Sequence, residues 1–323
     1  MKAYLMHADA DFDSSRELPL SASDLARDLE LDTLLGAMSA GDKFLHEVAR
    51  RAILSSLTDP RAIEYRQRVL ADCLANPAVA RELYGLAVTA VAGEKKFFFG
   101  LFRDSPDVIL NRSVQVVEFF TGLLKTLRQT AEQHAGRFRS EGFTRLFGML
   151  SAELSDDYFG EIETHLRELK FRRGMLLSAQ LGPGNRGAGY ALRKLREQGW
   201  RERITPGNRS RYSFQIPARD DNGFRAVSEL HDRGVNLVAN ALAQSADHIL
   251  SFFQMLCTEL AFYIGCLNLH DRLTSLGEPA RLPVPLPADE QALSARGLYD
   301  PCLACTPGRR SSPTTSTPTA CRW

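Results

Sequence analysis

Several absences narrow the reading before any motif does. The chain of 323 residues contains no Gly-x4-Gly-Lys-Ser/Thr string. A phosphate loop needs that spacing, because backbone N–H groups cradle phosphate while lysine and a hydroxyl meet the outer phosphates and Mg²⁺. No run of 18 apolar residues occurs, so no membrane span is expected. Charge of one sign is also lacking: the net charge is +1, and any contact with nucleic acid must come from a local patch. The opening MKAYLMHADADFD carries three aspartates and no long apolar stretch, so it does not read as a signal peptide. Six scattered cysteines, at 73, 257, 266, 302, 305 and 321, form no secreted disulfide framework and suit a reducing cytoplasm.

Partial motifs fail for identifiable reasons. His46-Glu47-x-x-Arg50 lacks the second histidine of a zinc protease. Asp9-x-Asp11-x-Asp13 lacks the glycine and final glutamate of a calcium loop. Cys302-x-x-Cys305 has no partner pair for zinc. Gly182–Gly187 matches GxGxxG but lacks the βαβ context, and Pro183 sits inside the turn. Asp156-Asp157-x-x-x-Glu161 is shaped like the first metal motif of class I terpenoid synthases, without a second motif in 226–276; an acidic first helical turn accounts for it.

What is present is helix. The 44% hydrophobic content supports a sizeable core. Leu29–Leu86 reads as a helix, a capped turn and a second helix, with Asp59-Pro60 starting the latter. Asp107–Ala135 and Asp156–Phe171 are further helices by their apolar spacing, and the Phe97–Phe99 run suits a helix junction. Between Pro217 and Pro279 there is no proline. There Leu242, Ile249, Leu256 and Tyr263 interleave with Ala246, Phe253, Leu260 and Leu267 in a 3/4 alternation, a coiled-coil-like seam. Met175–Leu181, a glycine-rich turn and alternating Tyr212, Phe214 and Ile216 predict a small β element between long helices.

The phrases around Leu31, Asp32, Leu34 and Leu35, then Gly41, Asp42 and Leu45, then Asp59, Pro60, Ile63, Arg66, Gln67, Val69 and Leu70 carry a resemblance. This pattern resembles the core domain of the MutS mismatch-repair family. The chain looks closer to divergent MutS-like members than to mismatch-reading enzymes, because it has no room for mismatch-binding and connector domains. The resemblance implies an all-α fold: a helical core with long antiparallel lever helices and a small β-containing insert. It divides the chain into a polar lead-in (1–24), core and outgoing lever (25–173), and a basic insert at the clamp position (174–223). A returning lever (224–276), a linker toward an ATPase domain (277–304) and a disordered tail (305–323) follow. Tyr299, Asp300 and Pro301 stand where the family's ATPase domain opens.

The tail has eight Ser/Thr and three Pro in 19 positions, a composition that cannot offset its ordering entropy. A reading frame shifted near residue 304 is the expectation, with a natural tail on a truncated paralogue as the alternative. The resemblance implies ATP and Mg²⁺ in the intact family, but no cofactor and no catalytic residue can be assigned here. It implies a homodimer in the intact family and weak or no association of this chain.

Positions 165–211 hold twelve Lys/Arg against three Glu. Clustered arginines can neutralise phosphates with strongly salt-dependent affinity. The candidate DNA-backbone contacts are Arg186, Arg193, Lys194, Arg196, Arg201, Arg203, Arg209 and Arg211, with Trp200 and Tyr212 able to stack on bases. The competing class is a non-catalytic all-α scaffold that binds protein.

Overall fold

Short polar pairs decide where helices begin and end. The computed structural model describes residues 1–97, 106–172, 174–185, 187–194, 215–217, 219–287, 290, 293–306 and 314–316. Within them the protein is all-α with a small β insert. Helix α1 spans Ala22–Asp28. The Leu29–Leu86 stretch, expected as two helices, folds as four: α2 (Leu31–Ser39), α3 (Lys43–Leu54), α4 (Pro60–Ala75) and α5 (Pro77–Glu94).

The two extra breaks have local causes. Ala40 (φ 47°) and Gly41 (φ 89°) turn left-handed and end α2. Asp42 then caps α3, accepting N–H bonds from Phe44 (2.7 Å) and Leu45 (3.1 Å). Pro77 opens α5 because it has no N–H to donate into a preceding turn, and Asn76 before it leaves helical geometry. Asp59 caps α4 by accepting from Arg61 N–H at 3.0 Å, with Pro60 at the first helical position, as the sequence predicts.

The chain forms two compact units, neither continuous in sequence. The first comprises Met1–Gly93, Leu123–Ser155 and Leu250–Trp323, and the second Glu94–Gly122 and Asp156–Ile249. Helix α6 (Pro106–His134) contributes to both.

In the first unit, Leu31, Leu35, Met38, Ala49 and Leu54 form an apolar cluster against Phe262, Cys266 and Leu269. These last three belong to α9 (Asp221–Ser275), which carries the predicted seam. Phe253, Leu256, Leu260 and Tyr263 in that seam are fully buried. By length and composition α9 could cross a membrane, but 61% of its apolar window is buried inside the protein, as in a core helix. Helices α4 and α7 (Glu141–Glu153) approach closely at Gly142, where an added Cβ would lie 2.7 Å from Val69 Cγ2. Asp72 on α4 is buried and accepts the N–H groups of Arg139 (2.9 Å) and Ser140 (2.7 Å), which fixes the entry into α7.

The N-terminal residues, expected as a polar lead-in, instead enter this core: Ala3, Leu5, Met6 and Phe12 are buried. Sequence polarity misled because the apolar positions are interleaved with aspartates and lack any regular period. The linker also holds structure. Asp300 caps a short helix α10 (Pro301–Cys305), accepting from Cys302 (2.8 Å) and Leu303 (3.2 Å) N–H. Strand β3 (Ala295–Leu298) pairs antiparallel with β4 (Thr314–Ser316). Those three residues of the tail are therefore paired, contrary to the expected disorder; β-branched threonines suit a strand. Cys305 packs against Leu273.

The second unit contains α8 (Asp156–Leu169), whose acidic first turn holds Asp156 and Asp157. Strands β1 (Leu176–Leu181) and β2 (Gly187–Arg193) form an antiparallel hairpin. Phe120, Phe159, Leu166, Val235 and Ala239 are among its buried residues. Phe97 packs on Phe119 at 5.6 Å between ring centroids, as the aromatic run suggests; Phe98 and Phe99 lie outside the described residues.

Two substitutions test this packing by chemical denaturation. Gly142→Ala forces Val69 or the helix to shift and is expected to destabilise by about 1–3 kcal/mol. Asp72→Ala strands two N–H groups, and a loss of about 3 kcal/mol is expected. An unchanged midpoint in either variant contradicts the packing described.

Candidate nucleic-acid interface

The basic stretch begins on α8 and continues through the hairpin. Turn residues make the hairpin possible. Gly182–Asn185 reverses the chain, with Gly184 left-handed at φ 69° and Pro183 leading the turn. The GxGxxG match thus joins two antiparallel strands rather than a strand and a helix, which removes the geometry a dinucleotide site needs. A register shift between Ser178 and Gln180 places Ala179 of β1 opposite two residues of β2, Gly189 and Tyr190, so the irregularity bulges β2.

Two consecutive residues of α9 hold the hairpin. Leu177 lies over Gly234, where an added Cβ would come within 2.2 Å of Leu177 Cδ2. The Arg233 guanidinium sits 5.8 Å from the centre of the Tyr190 ring, a cation–π contact. Tyr190 in turn covers Gly187 at the start of β2. These glycines let bulky neighbours approach, a role that residue type alone does not announce.

Of the eight candidate residues, the structure describes Arg193 and Lys194. Arg193 ends β2 opposite Leu176, is exposed, and donates from Nε to Ser178 Oγ at 2.8 Å. Lys194 follows it and pairs with Glu168 of α8 at 2.9 Å. Arg186, Arg196, Arg201, Arg203, Arg209 and Arg211 lie outside the described residues, as do Trp200, Tyr212 and Phe214 of the expected strand. Ile216, its last member, is in no strand.

Neighbouring cations have local partners. Lys170 pairs with Glu118 at 2.5 Å. Arg167 folds back on its own helix, donating to the Glu163 carbonyl at 3.2 Å. These pairs are half-exposed or exposed, so each is worth about 0–1 kcal/mol and is easily exchanged for another anion. Glu118 lies on α6, far from the basic stretch in sequence, and sequence reasoning missed it. It also missed Arg233, whose contact depends on the hairpin's placement.

The other sites considered do not assemble. No group of three or more His, Cys, Asp or Glu able to hold a metal occurs among the described residues. Burial raises the thiol pKa of both Cys302 and Cys305, and Cys302 Sγ contacts the Leu29 carbonyl at 3.4 Å. Burial pushes Cys257 and Cys266 up to about 12. These thiols are structural rather than reactive at neutral pH.

Comparison with known proteins places this architecture. No curated protein matches the chain, and no solved structure does. A family model described as the MutS2 N-terminal domain matches residues 58–276. The match begins at the Thr58-Asp59-Pro60 start of α4 and ends just after α9, so it covers the hairpin and both long helices. The relation to MutS-type proteins holds at this level and does not extend to mismatch repair as such. The chain belongs to the MutS2 N-terminal domain family.

Proposed function

We propose that this chain is a DNA-backbone-binding helical module of a MutS-like protein. In this reading the basic hairpin region meets phosphates, and long helix α9 connects that contact to the helical core. In an intact relative such a connection couples DNA contact to ATP state, since two sites communicate only through an element that both bias. With no phosphate loop in its sequence, the chain performs no ATP hydrolysis of its own. Mismatch repair is the pathway that the resemblance suggests.

The observation that carries the reading is the concentration of charge. Twelve Lys/Arg face three Glu between 165 and 211, while the whole chain has a net charge of +1. Phosphate contacts from such a cluster bind without sequence readout. A protein-binding scaffold is the second reading, favoured by exposed Phe224, Val227 and Leu237 on α9. Partner binding through those side chains would persist in salt.

Fluorescence anisotropy with labelled duplexes of unrelated sequence separates the two. Binding is expected to weaken steeply from low to moderate salt and to be similar across sequences. Replacing Arg201, Arg203, Arg209 and Arg211 by Ala should reduce the slope of log affinity against log salt by about 3–4. Absence of DNA affinity at low salt, or an unchanged slope in the variant, removes the DNA reading and favours the scaffold.

A further inference from the structure

Residues 1–12 are held almost wholly by side chains of other elements. They have no regular secondary structure, and among the described residues no backbone–backbone hydrogen bond fixes them. Leu5, Met6 and Phe12 are nevertheless buried. Their N–H groups meet one carboxylate. Glu259 of α9, itself buried, accepts from Leu5 (2.6 Å) and Met6 (3.4 Å) through Oε2 and from Phe12 (3.0 Å) through Oε1. The carbonyls meet donors. Tyr65 OH donates to Tyr4 O (2.5 Å), Tyr263 OH to Leu5 O (2.5 Å), Arg66 Nε to Met6 O (3.2 Å) and Arg145 to Ala8 O (2.5 Å). A strand or helix satisfies its own backbone; this segment depends on five side chains from α4, α7 and α9. Those three helices therefore form a site that reads main chain.

Other contacts lie within the segment and travel with it. Lys2 pairs with Asp11 at 2.5 Å, and the His7 ring stacks on Phe12 at 6.3 Å between centroids. The connection to α1 has the opposite character. Residues 13–21 are exposed apart from half-buried Leu18 and have no regular secondary structure. Asp13 bonds locally to Ser15, and Arg51 of α3 reaches the Arg16 carbonyl at 3.3 Å on the surface.

We infer that the site on α4, α7 and α9 also takes residues 1–12 of a second copy of this chain, giving a reciprocally exchanged dimer. The second copy offers the same three N–H groups, the same four carbonyls and the same buried Leu5, Met6 and Phe12, so each contact of the closed chain is remade between copies. The segment's hydrogen-bond partners on the site lie 60 to 258 positions away in sequence, so the site does not depend on which chain supplies it. The two forms differ in the path of residues 13–21, where little is packed. Exchange of an identical element is a low-cost route to a dimer, and reciprocity closes the assembly at two copies. The share of dimer follows chain concentration by mass action.

Refolding the full chain over a range of concentrations tests this, with a site-specific protease sequence inserted between Ser14 and Ser15 of the exposed connection. Light scattering after size-exclusion chromatography is expected to show a dimer whose share rises with concentration. Cutting the inserted sequence should then turn the dimer into monomers, because the connection is the sole covalent link between the exchanged parts. A chain that stays monomeric throughout, or a dimer that survives cutting, overturns the proposal. Should the insertion disturb folding, two full-length variants decide. Leu5→Asp spoils the segment, and Glu259→Ala spoils the site. Refolded together, they should yield a 1:1 heterodimer by native mass spectrometry, in which the intact site of one chain holds the intact segment of the other. Absence of that heterodimer overturns the proposal.

Discussion

The buried carboxylate of Glu259 organises the first unit. Three backbone N–H groups converge on it from residues 253 and 254 positions earlier and from Phe12. A carboxyl at 0% exposure is costly unless its lone pairs are occupied, and here the N-terminal segment occupies them. The dependence is mutual. Without Glu259, Leu5, Met6 and Phe12 would have stranded donors in an apolar setting; without the segment, Glu259 would be an unsatisfied acid beside Tyr263. Residues 1–12 thus act as a structural element despite having no regular secondary structure.

Helix α9 supplies this carboxyl and, at Arg233 and Gly234 earlier in the same helix, the hairpin's seat. Its character changes along its length. Phe224, Val227, Leu230 and Leu237 are exposed, whereas Phe253, Leu256, Leu260 and Tyr263 are fully buried. One uninterrupted helix with no proline therefore carries exposed apolar side chains near its start, beside buried Val235 and Ala239, and a tightly packed seam further on.

Local chemistry was legible in the sequence; long-range satisfaction was not. Asp59-Pro60 announced a helix start, and the side chain does cap it. The 3/4 alternation from Leu242 to Leu267 announced an apolar seam; its members are buried except Leu242, which is half-buried. The glycine-rich segment announced a loop over Gly182–Gly189; it turns there, but β2 already begins at Gly187, a strand that the sequence reading did not place. The break at Ala40-Gly41 was missed because a continuous apolar period ran across it and outweighed a positive-φ residue that is not glycine. Glu259 gave no signal, since a lone acid between Thr258 and Leu260 reads as a solvent-facing position. Its partners lie about 250 residues away, beyond any periodicity. Gly234 likewise gave no signal of its own, and in the structure Leu177 rests on it.

The candidate interface was legible as charge and only in part as geometry. What the described residues add is the company those charges keep. Lys170 and Lys194 already hold Glu118 and Glu168, whereas among the described residues Arg193 donates from Nε to a neutral hydroxyl, that of Ser178. An approaching phosphate would compete with a carboxylate at the two lysines and with a neutral group at the arginine. Exchange of one weak exposed pair for another changes little free energy, so the lysines contribute less to affinity than their charge suggests. An arginine that presents a planar fork with no anion to displace contributes more. In the proposed reading, lysines with carboxylate partners therefore add less to polyanion affinity than their charge suggests, and acidic residues outside the basic stretch, such as Glu118, set the baseline from which that affinity is measured.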